Sequence, residues 1–267
     1  MEKKHINTGD ILINYLEKKG DGAVIIALHG NSCSSLAWQQ FLKDAAGCNY
    51  RIIAPDLPGH GDSDKAKNPE NDYTIGGLAK IIIKFLDALN IESYFCIGHS
   101  LGGHISYNLL VNDKRLRKAI TLGAPPFSLP LENSLPLAFI PNPALSGLFK
   151  GELTDSEIND IAQCIDPDPQ PFVFDAIRKT DPEFRTRMGE SIGTLNGVQD
   201  EAKAVNENRD RITLIVNKKD ALVNADYYKQ FNSSICYHVE EETHSPHHSE
   251  TWMLQVIEGL LPTPKLS

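Results

Sequence analysis

The chain of 267 residues is 41% hydrophobic and 23% charged, which fits one compact α/β domain with an insertion, or at most two domains, and excludes collagen-like, coiled-coil and disordered chains. Its 26 Lys plus Arg against 35 Asp plus Glu give a net charge of −9, which repels phosphate backbones and anionic lipid, so no nucleic-acid or membrane partner is expected. No apolar run approaches the roughly 18 residues of a membrane span, and residues 1–10 lack the basic-then-apolar pattern of a secretory signal, so a cytoplasmic protein is expected.

In chain order, residues 6–22 read as an antiparallel hairpin at a sheet edge, turning at Gly9-Asp10. Residues 23–28 are continuously apolar, as are most of 51–54, 94–97, 119–122 and 212–216. Each run meets a Gly, Pro, Asn or Asp turn, the pattern of strands buried on both faces. Between them, residues 73–90 place Leu78, Ile81, Ile82, Phe85, Leu86 and Leu89 at three- and four-residue steps. That spacing predicts a helix capped by Thr74 and ended by Asn90. Alternating strands and helices predict an α/β fold with a mostly parallel sheet covered by helices.

The composition shifts at residues 125–205, which hold 10 of the 16 prolines and 6 of the 10 phenylalanines but no Tyr or Trp. Strand patterning stops there, and short helices (154–164, 171–179) predict an inserted helical cap. The expected organisation is therefore a core over 1–124 and 206–267, interrupted by a cap over 125–205.

The strand at 94–97 runs into Gly98-His99-Ser100-Leu101-Gly102-Gly103, followed by a helix-compatible stretch, 104–112. This is G-x-S-x-G between a strand and a helix, the setting in which a sharp turn exposes a serine hydroxyl and small neighbours relieve the crowding. Ser100 is the expected nucleophile, and the Leu101 amide lies beside it at a helix N-terminus. Neither His99, expected to point away from Ser100, nor His104, a helical turn further on, is read as its base. The loop His29-Gly30-Asn31-Ser32 follows an earlier strand, and Gly30 lets the Asn31 amide approach a substrate as a second oxyanion donor. His29 is read as a ring that holds this loop, and Asp56 to Ser63, dense in turn formers, as a structured turn.

A serine nucleophile requires a base and an orienting carboxylate, which in this chain order follow it. Asp220 stands just beyond the strand at 212–216 and is the expected acid, with Asp226 in reserve. The turn Gly123-Ala124-Pro125-Pro126 offers no acid. The last strand, 234–239, leads into a tract where His244, His247 and His248 compete for the base. No Cys or Asp constellation completes a metal site around them, and Cys33, Cys48, Cys96, Cys164 and Cys236 include no C-x-x-C pair. Neither a metal nor a cofactor is expected, and the cysteines read as buried thiols.

With these pieces in order, the chain resembles the α/β-hydrolase superfamily through His29-Gly30-Asn31, Asp56-Leu57-Pro58-Gly59-His60-Gly61, Gly98-His99-Ser100-Leu101-Gly102-Gly103, Asp220 and His244-Ser245-Pro246-His247. The resemblance implies an eight-stranded sheet, a cap after the sixth strand, a Ser100-Asp220-His244 triad and oxyanion amides from Asn31 and Leu101. It also selects His244, although Glu242 and Thr243 stand where that family has small residues and glycine. A serine in place of an aspartate nucleophile argues against the epoxide-hydrolase and dehalogenase branches. Within the serine branch, the H-G-N-S loop, S-L-G-G-H and the Gly123-Ala124-Pro125-Pro126 turn are similar to N-acyl-homoserine lactone hydrolases.

The expected activity is cofactor-free hydrolysis of an ester or lactone through an acyl-enzyme, on a small-molecule substrate carrying an acyl group. Alternatives are a C–C bond hydrolase or lyase on the same triad, and a ligand receptor that retains the pocket without turnover. Phe127, Phe139, Phe149, Phe172, Phe174 and Phe184 are the candidates for an apolar acyl slot.

Overall fold

Eight strands form one sheet in the computed structural model, which describes residues 1–240, 244 and 252–260. They are β1 (Glu2–Asn7), β2 (Leu12–Lys18), β3 (Val24–Leu28), β4 (Arg51–Pro55), β5 (Tyr94–His99), β6 (Leu116–Leu122), β7 (Ile212–Asn217) and β8 (Cys236–Val239). The spatial order is β1-β2-β4-β3-β5-β6-β7-β8; β1 with β2 and β2 with β4 are antiparallel, and the remaining pairs are parallel.

Every expected strand is present, with boundaries that differ for physical reasons. The first begins at Glu2 rather than residue 6 because an exposed edge strand carries charge instead of apolar pattern. The sixth begins at Leu116 rather than residue 119, through Arg117 and Lys118 at its wetter end. The last begins at Cys236, since residues 233–235 make a 3₁₀ turn in which the Asn232 side chain accepts from the Ser234 amide at 2.9 Å.

The helices α1 (Gln39–Asp44), α2 (Pro69–Asp72), α3 (Ile75–Ala88) and α4 (Leu101–Asn112) interleave with the first six strands. Between β6 and β7 lie α5 (Leu135–Ala138), α6 (Ala144–Gly147), α7 (Asp155–Ile165), α8 (Pro171–Lys179), α9 (Pro182–Thr194) and α10 (Glu201–Glu207), and α11 (Trp252–Leu260) follows β8. As expected, Thr74 caps α3 by accepting from the Gly77 amide at 2.9 Å, and Asn90 beyond its end takes φ +53°. Thr154 and Glu157 form a reciprocal capping box at the start of α7.

Side-chain alternation divides the core between the two faces of the sheet. Ile26, Leu28, Ile53, Cys96, Ala119, Leu214 and Val216 meet α3, α4 and Val205 of α10 on one face. Ile25, Ala27, Ile52, Ala54, Ile97, Ile120 and Ile215 meet Trp38, Phe41 and Leu42, with Met253, Val256 and Ile257 of α11, on the other. Each fully buried aliphatic side chain contributes roughly 1.5–3 kcal/mol, so both faces are needed to hold the parallel strands. The helices between β6 and β7 carry a small core of their own, built from Ile158, Ile161, Ala162, Ile165, Val173 and Ile177. Among the described residues no helix is long and apolar enough to cross a membrane.

All five cysteines are unpaired thiols; Cys33 and Cys96 are buried, while Cys48, Cys164 and Cys236 are half-buried rather than buried as expected. Burial pushes the Cys33 and Cys96 thiols up to about 12 and Cys164 to about 11. Because the thiolate is the nucleophile, Cys33 and Cys96 are expected to react with a disulfide reagent at pH 8 at least about 100-fold more slowly in the native protein than in guanidinium. Stopped-flow absorbance on native and unfolded protein checks this, and equal rates contradict it.

Candidate active site

Ser100 sits between the end of β5 and the start of α4 with φ +50° and ψ −116°, a conformation that non-glycine residues rarely adopt. It is held there by its own N–H, which donates to the Leu122 carbonyl at 2.9 Å, and by its carbonyl, which accepts from Gly103 at 2.8 Å. The flanking glycines are steric necessities: a Cβ at Gly98 would overlap the Gly102 carbonyl, and one at Gly102 would overlap the Leu28 carbonyl. The turn closes only with both positions bare. Leu101 opens α4, so its N–H has no intrahelical acceptor and is available beside the serine.

Asp220 lies just past β7 and is 5% exposed. Its Oδ1 accepts from the amides of Leu222 (2.8 Å) and Val223 (3.0 Å), and its Oδ2 accepts from His244 Nδ1 at 2.7 Å. A carboxylate only accepts, so Nδ1 of a neutral His244 carries the proton and Nε2 carries the lone pair. His244 is itself buried, and its backbone N–H donates to the carbonyl of Ile165 at the end of α7, 3.0 Å away. Gly123, at φ +60°, leaves the space its ring fills; a Cβ there would fall 2.7 Å from His244 Cε1. The reserve acid Asp226 is exposed and pairs instead with Lys229 at 2.7 Å. His247, His248 and Glu242 lie outside the described residues. Glu240 pairs with Lys218, which holds its carboxyl below the usual range.

Asn31, Ser100, Leu101 and His244 wall one cavity of about 310 Å³. The Asn31 side chain donates to the Leu148 carbonyl at 2.9 Å and accepts from the Ser32 hydroxyl at 2.9 Å, which anchors its loop to the helical segment above. His29 holds the loop from beneath as expected, with Nδ1 donating to the Gly30 carbonyl (2.8 Å) and Nε2 accepting from the Leu57 amide (3.0 Å). Burial pushes His29 down, and His60 further down, so both are neutral structural rings. Asp56 accepts from the Ser35 and Asp62 amides, which makes its segment the structured turn expected of it.

The His99 ring packs edge-on against His244 with centroids 4.8 Å apart. Two expectations need correction. Phe172 and Phe174 do not line the cavity. They pack against the separate core of α7 and α8, since helical periodicity identifies an apolar face but not the surface it meets. Phe184 is fully buried against His60 and Tyr73, at 4.3 and 5.2 Å between centroids. Phe127, Phe139 and Phe149 do line the cavity, with Leu135, Leu145, Leu148 and Met188. His104, weighed in the sequence only as a base, is another wall residue. Among the described residues no group of three His, Cys, Asp or Glu side chains is placed to hold a metal.

Residues 23–142 match a family model described as the alpha/beta hydrolase fold. An epoxide hydrolase 3 from Siraitia grosvenorii is 34% identical over 118 residues, 44% of this chain and 37% of that protein. A 2-hydroxy-6-oxononadienedioate/2-hydroxy-6-oxononatrienedioate hydrolase from Cupriavidus pinatubonensis is 25% identical over 73% of this chain and 65% of that protein. The chain thus spans less than two thirds of the length of either relative. A solved structure of the N-acyl homoserine lactonase AidH, complexed with N-butanoyl homoserine, superposes with a TM-score of 0.89 at 22% identity over the whole of both chains. A putative aryl esterase from Burkholderia cenocepacia gives 0.75 at 19% identity, over 96% of each chain. The family match over residues 23–142 and the order of all eight strands agree, and the chain has the α/β-hydrolase fold.

Proposed function

We propose that this protein is a serine hydrolase that cleaves a carboxylic ester or lactone through an acyl-enzyme, with residues 125–205 as its cap and N-acyl-homoserine lactones as the favoured substrate class. The observation that carries this reading is the 2.7 Å Asp220–His244 bond in the wall of the cavity that holds Ser100. Ser100 Oγ attacks the carbonyl as His244 Nε2 takes its proton, and Asp220 stabilises the resulting imidazolium. The Asn31 and Leu101 amides receive the oxyanion, each worth about 3 kcal/mol when aimed before the charge develops. His244 then protonates the leaving oxygen; in the second half it takes a proton from a water that attacks the acyl-enzyme, and returns it to Ser100 Oγ as the acid departs. Phe127, Phe139 and Phe149 supply an apolar wall for an acyl chain. The lactone class is favoured by the ligand of AidH and by the motifs shared with that group. A cytoplasmic setting suits five unpaired thiols.

A C–C bond hydrolase on the same triad is the second reading, favoured by a relative of that activity that matches 73% of the chain. One experiment separates them: acid release at constant pH from an N-acyl-homoserine lactone and an ester of matched acyl length, with loss of dienoate absorbance followed in parallel and Ser100→Ala as blank. The expected result is preferred cleavage of the lactone. Equal or better ester cleavage identifies a general carboxylesterase, and faster dienoate loss supports the second reading.

A further inference from the structure

We infer that His104, oriented by Glu201, is a specificity-determining residue whose Nε2 accepts a hydrogen bond from an N–H or O–H group beside the scissile carbonyl of the substrate. The inference rests on the ester and lactone reading above and names the chemistry that the same cavity selects. Apart from Asn31, Ser100 and His244, which the reaction employs, His104 is the one polar side chain among the described wall residues of an otherwise apolar chamber.

Its geometry is fixed on two sides. Nδ1 lies 2.9 and 3.1 Å from the two carboxylate oxygens of Glu201, a fully buried side chain that also accepts from the Phe127 amide at 3.0 Å. The Phe127 ring stacks on the imidazole at 4.3 Å and 24°. Phe127 is itself tied down, because its carbonyl accepts from Ala202, the next residue of α10, at 2.8 Å. A carboxylate only accepts, so Glu201 obliges Nδ1 to donate, and in the neutral imidazole the lone pair then lies on Nε2. No described group bonds Nε2.

The His104 amide donates to the Ser100 carbonyl at 3.2 Å across the first turn of α4, and both residues wall the same cavity, which keeps the ring near the nucleophile. An acceptor there suits a donor a bond or two from the reacting carbonyl carbon. The amide N–H of an α-acylamino lactone or of an N-acyl amino-acid ester is such a group. A plain alkyl ester leaves Nε2 desolvated and unanswered, and a site built around a hydrogen bond discriminates against a substrate that lacks it.

The test compares kcat/KM for an N-acyl-homoserine lactone and for its carba analogue, in which CH2 replaces the amide N–H. The wild-type protein is expected to prefer the N–H substrate by roughly 10- to 100-fold, and both His104→Leu and Glu201→Gln to bring that ratio to about unity. A merely structural role would lower both substrates together and preserve the ratio. A wild-type ratio near one, or a preference that survives in His104→Leu, overturns the inference. A second arm needs neither turnover nor a His104 variant to fold: Ser100→Ala protein with ¹⁵N-labelled histidine is titrated with each ligand. The His104 Nε2 resonance is expected to move with the N–H ligand and not with the carba analogue. Equal movement, or none with either, overturns the inference. Failure of the hydrolase reading is separately visible, as no acid from either lactone and no phosphonate label on wild-type Ser100.

Discussion

Replacing Ser100 by alanine is expected to lower ester or lactone turnover by about 100,000-fold or more, while the fold and the thermal midpoint are retained. The loss is large because nucleophile, base and acid act as a unit, and without the hydroxyl the remaining groups only polarise the carbonyl. Stability is preserved because alanine, like serine, keeps a Cβ at φ +50°, so the backbone strain does not change. Glycine at the same position relieves that strain, so Ser100→Gly is expected to be equally inactive but more stable than Ser100→Ala by about 1 kcal/mol or more. Initial rates, phosphonate labelling and thermal unfolding of the three proteins check this together. An alanine variant with more than a few per cent of wild-type turnover removes Ser100 as the nucleophile.

Asp220→Asn is expected to lower kcat by about 1,000- to 10,000-fold through a mechanism that the surrounding backbone dictates. Oδ1 of Asp220 accepts from two amides, of Leu222 and Val223. An asparagine in its place must turn its oxygen toward those donors, which presents its NH2 to His244 Nδ1. The imidazole then carries its proton on Nε2, where it cannot receive one from Ser100. Alanine removes the acid without imposing the wrong tautomer, so kcat of Asp220→Ala is expected to equal or exceed that of Asp220→Asn. Steady-state kinetics and ¹⁵N imidazole spectra of both variants decide the matter, and an asparagine variant faster than the alanine one contradicts the argument.

The sheet was legible because parallel strands buried on both faces leave continuous apolar runs, and five of the six parallel strands were readable that way from 4–6-residue segments, the sixth, β8, being a largely exposed edge strand. Less legible were the polar ends of strands, such as Arg117 and Lys118 in β6, where apolar patterning stops before pairing does. The position of Ser100 follows from local geometry, since two bare glycines are required around one strained turn. Asp220 was reachable from its place after a strand, but the choice of His244 among three histidines came from resemblance, because a base is selected by a contact across 24 residues of chain. The cavity wall was the least legible part. Phe139 and Phe172 carry equivalent information in the sequence, yet one lines the Ser100 cavity and the other packs on a private core of α7 and α8. The place of His104 in that wall was not readable, because its orientation depends on Glu201, a partner 97 residues away.

Two hydrogen bonds described above bear on how this architecture can be re-engineered. The His244 backbone leans on the Ile165 carbonyl, and the Asn31 side chain leans on the Leu148 carbonyl. Both acceptors belong to the helical stretch between the sixth and seventh strands, not to the sheet. That stretch is therefore not a detachable module, and a transplant from another hydrolase brings a new substrate chamber while withdrawing a prop from each side of the chemistry. A chimera that keeps carbonyl acceptors at those two places retains the alignment of both loops; one that matches only the shape of the chamber loses it.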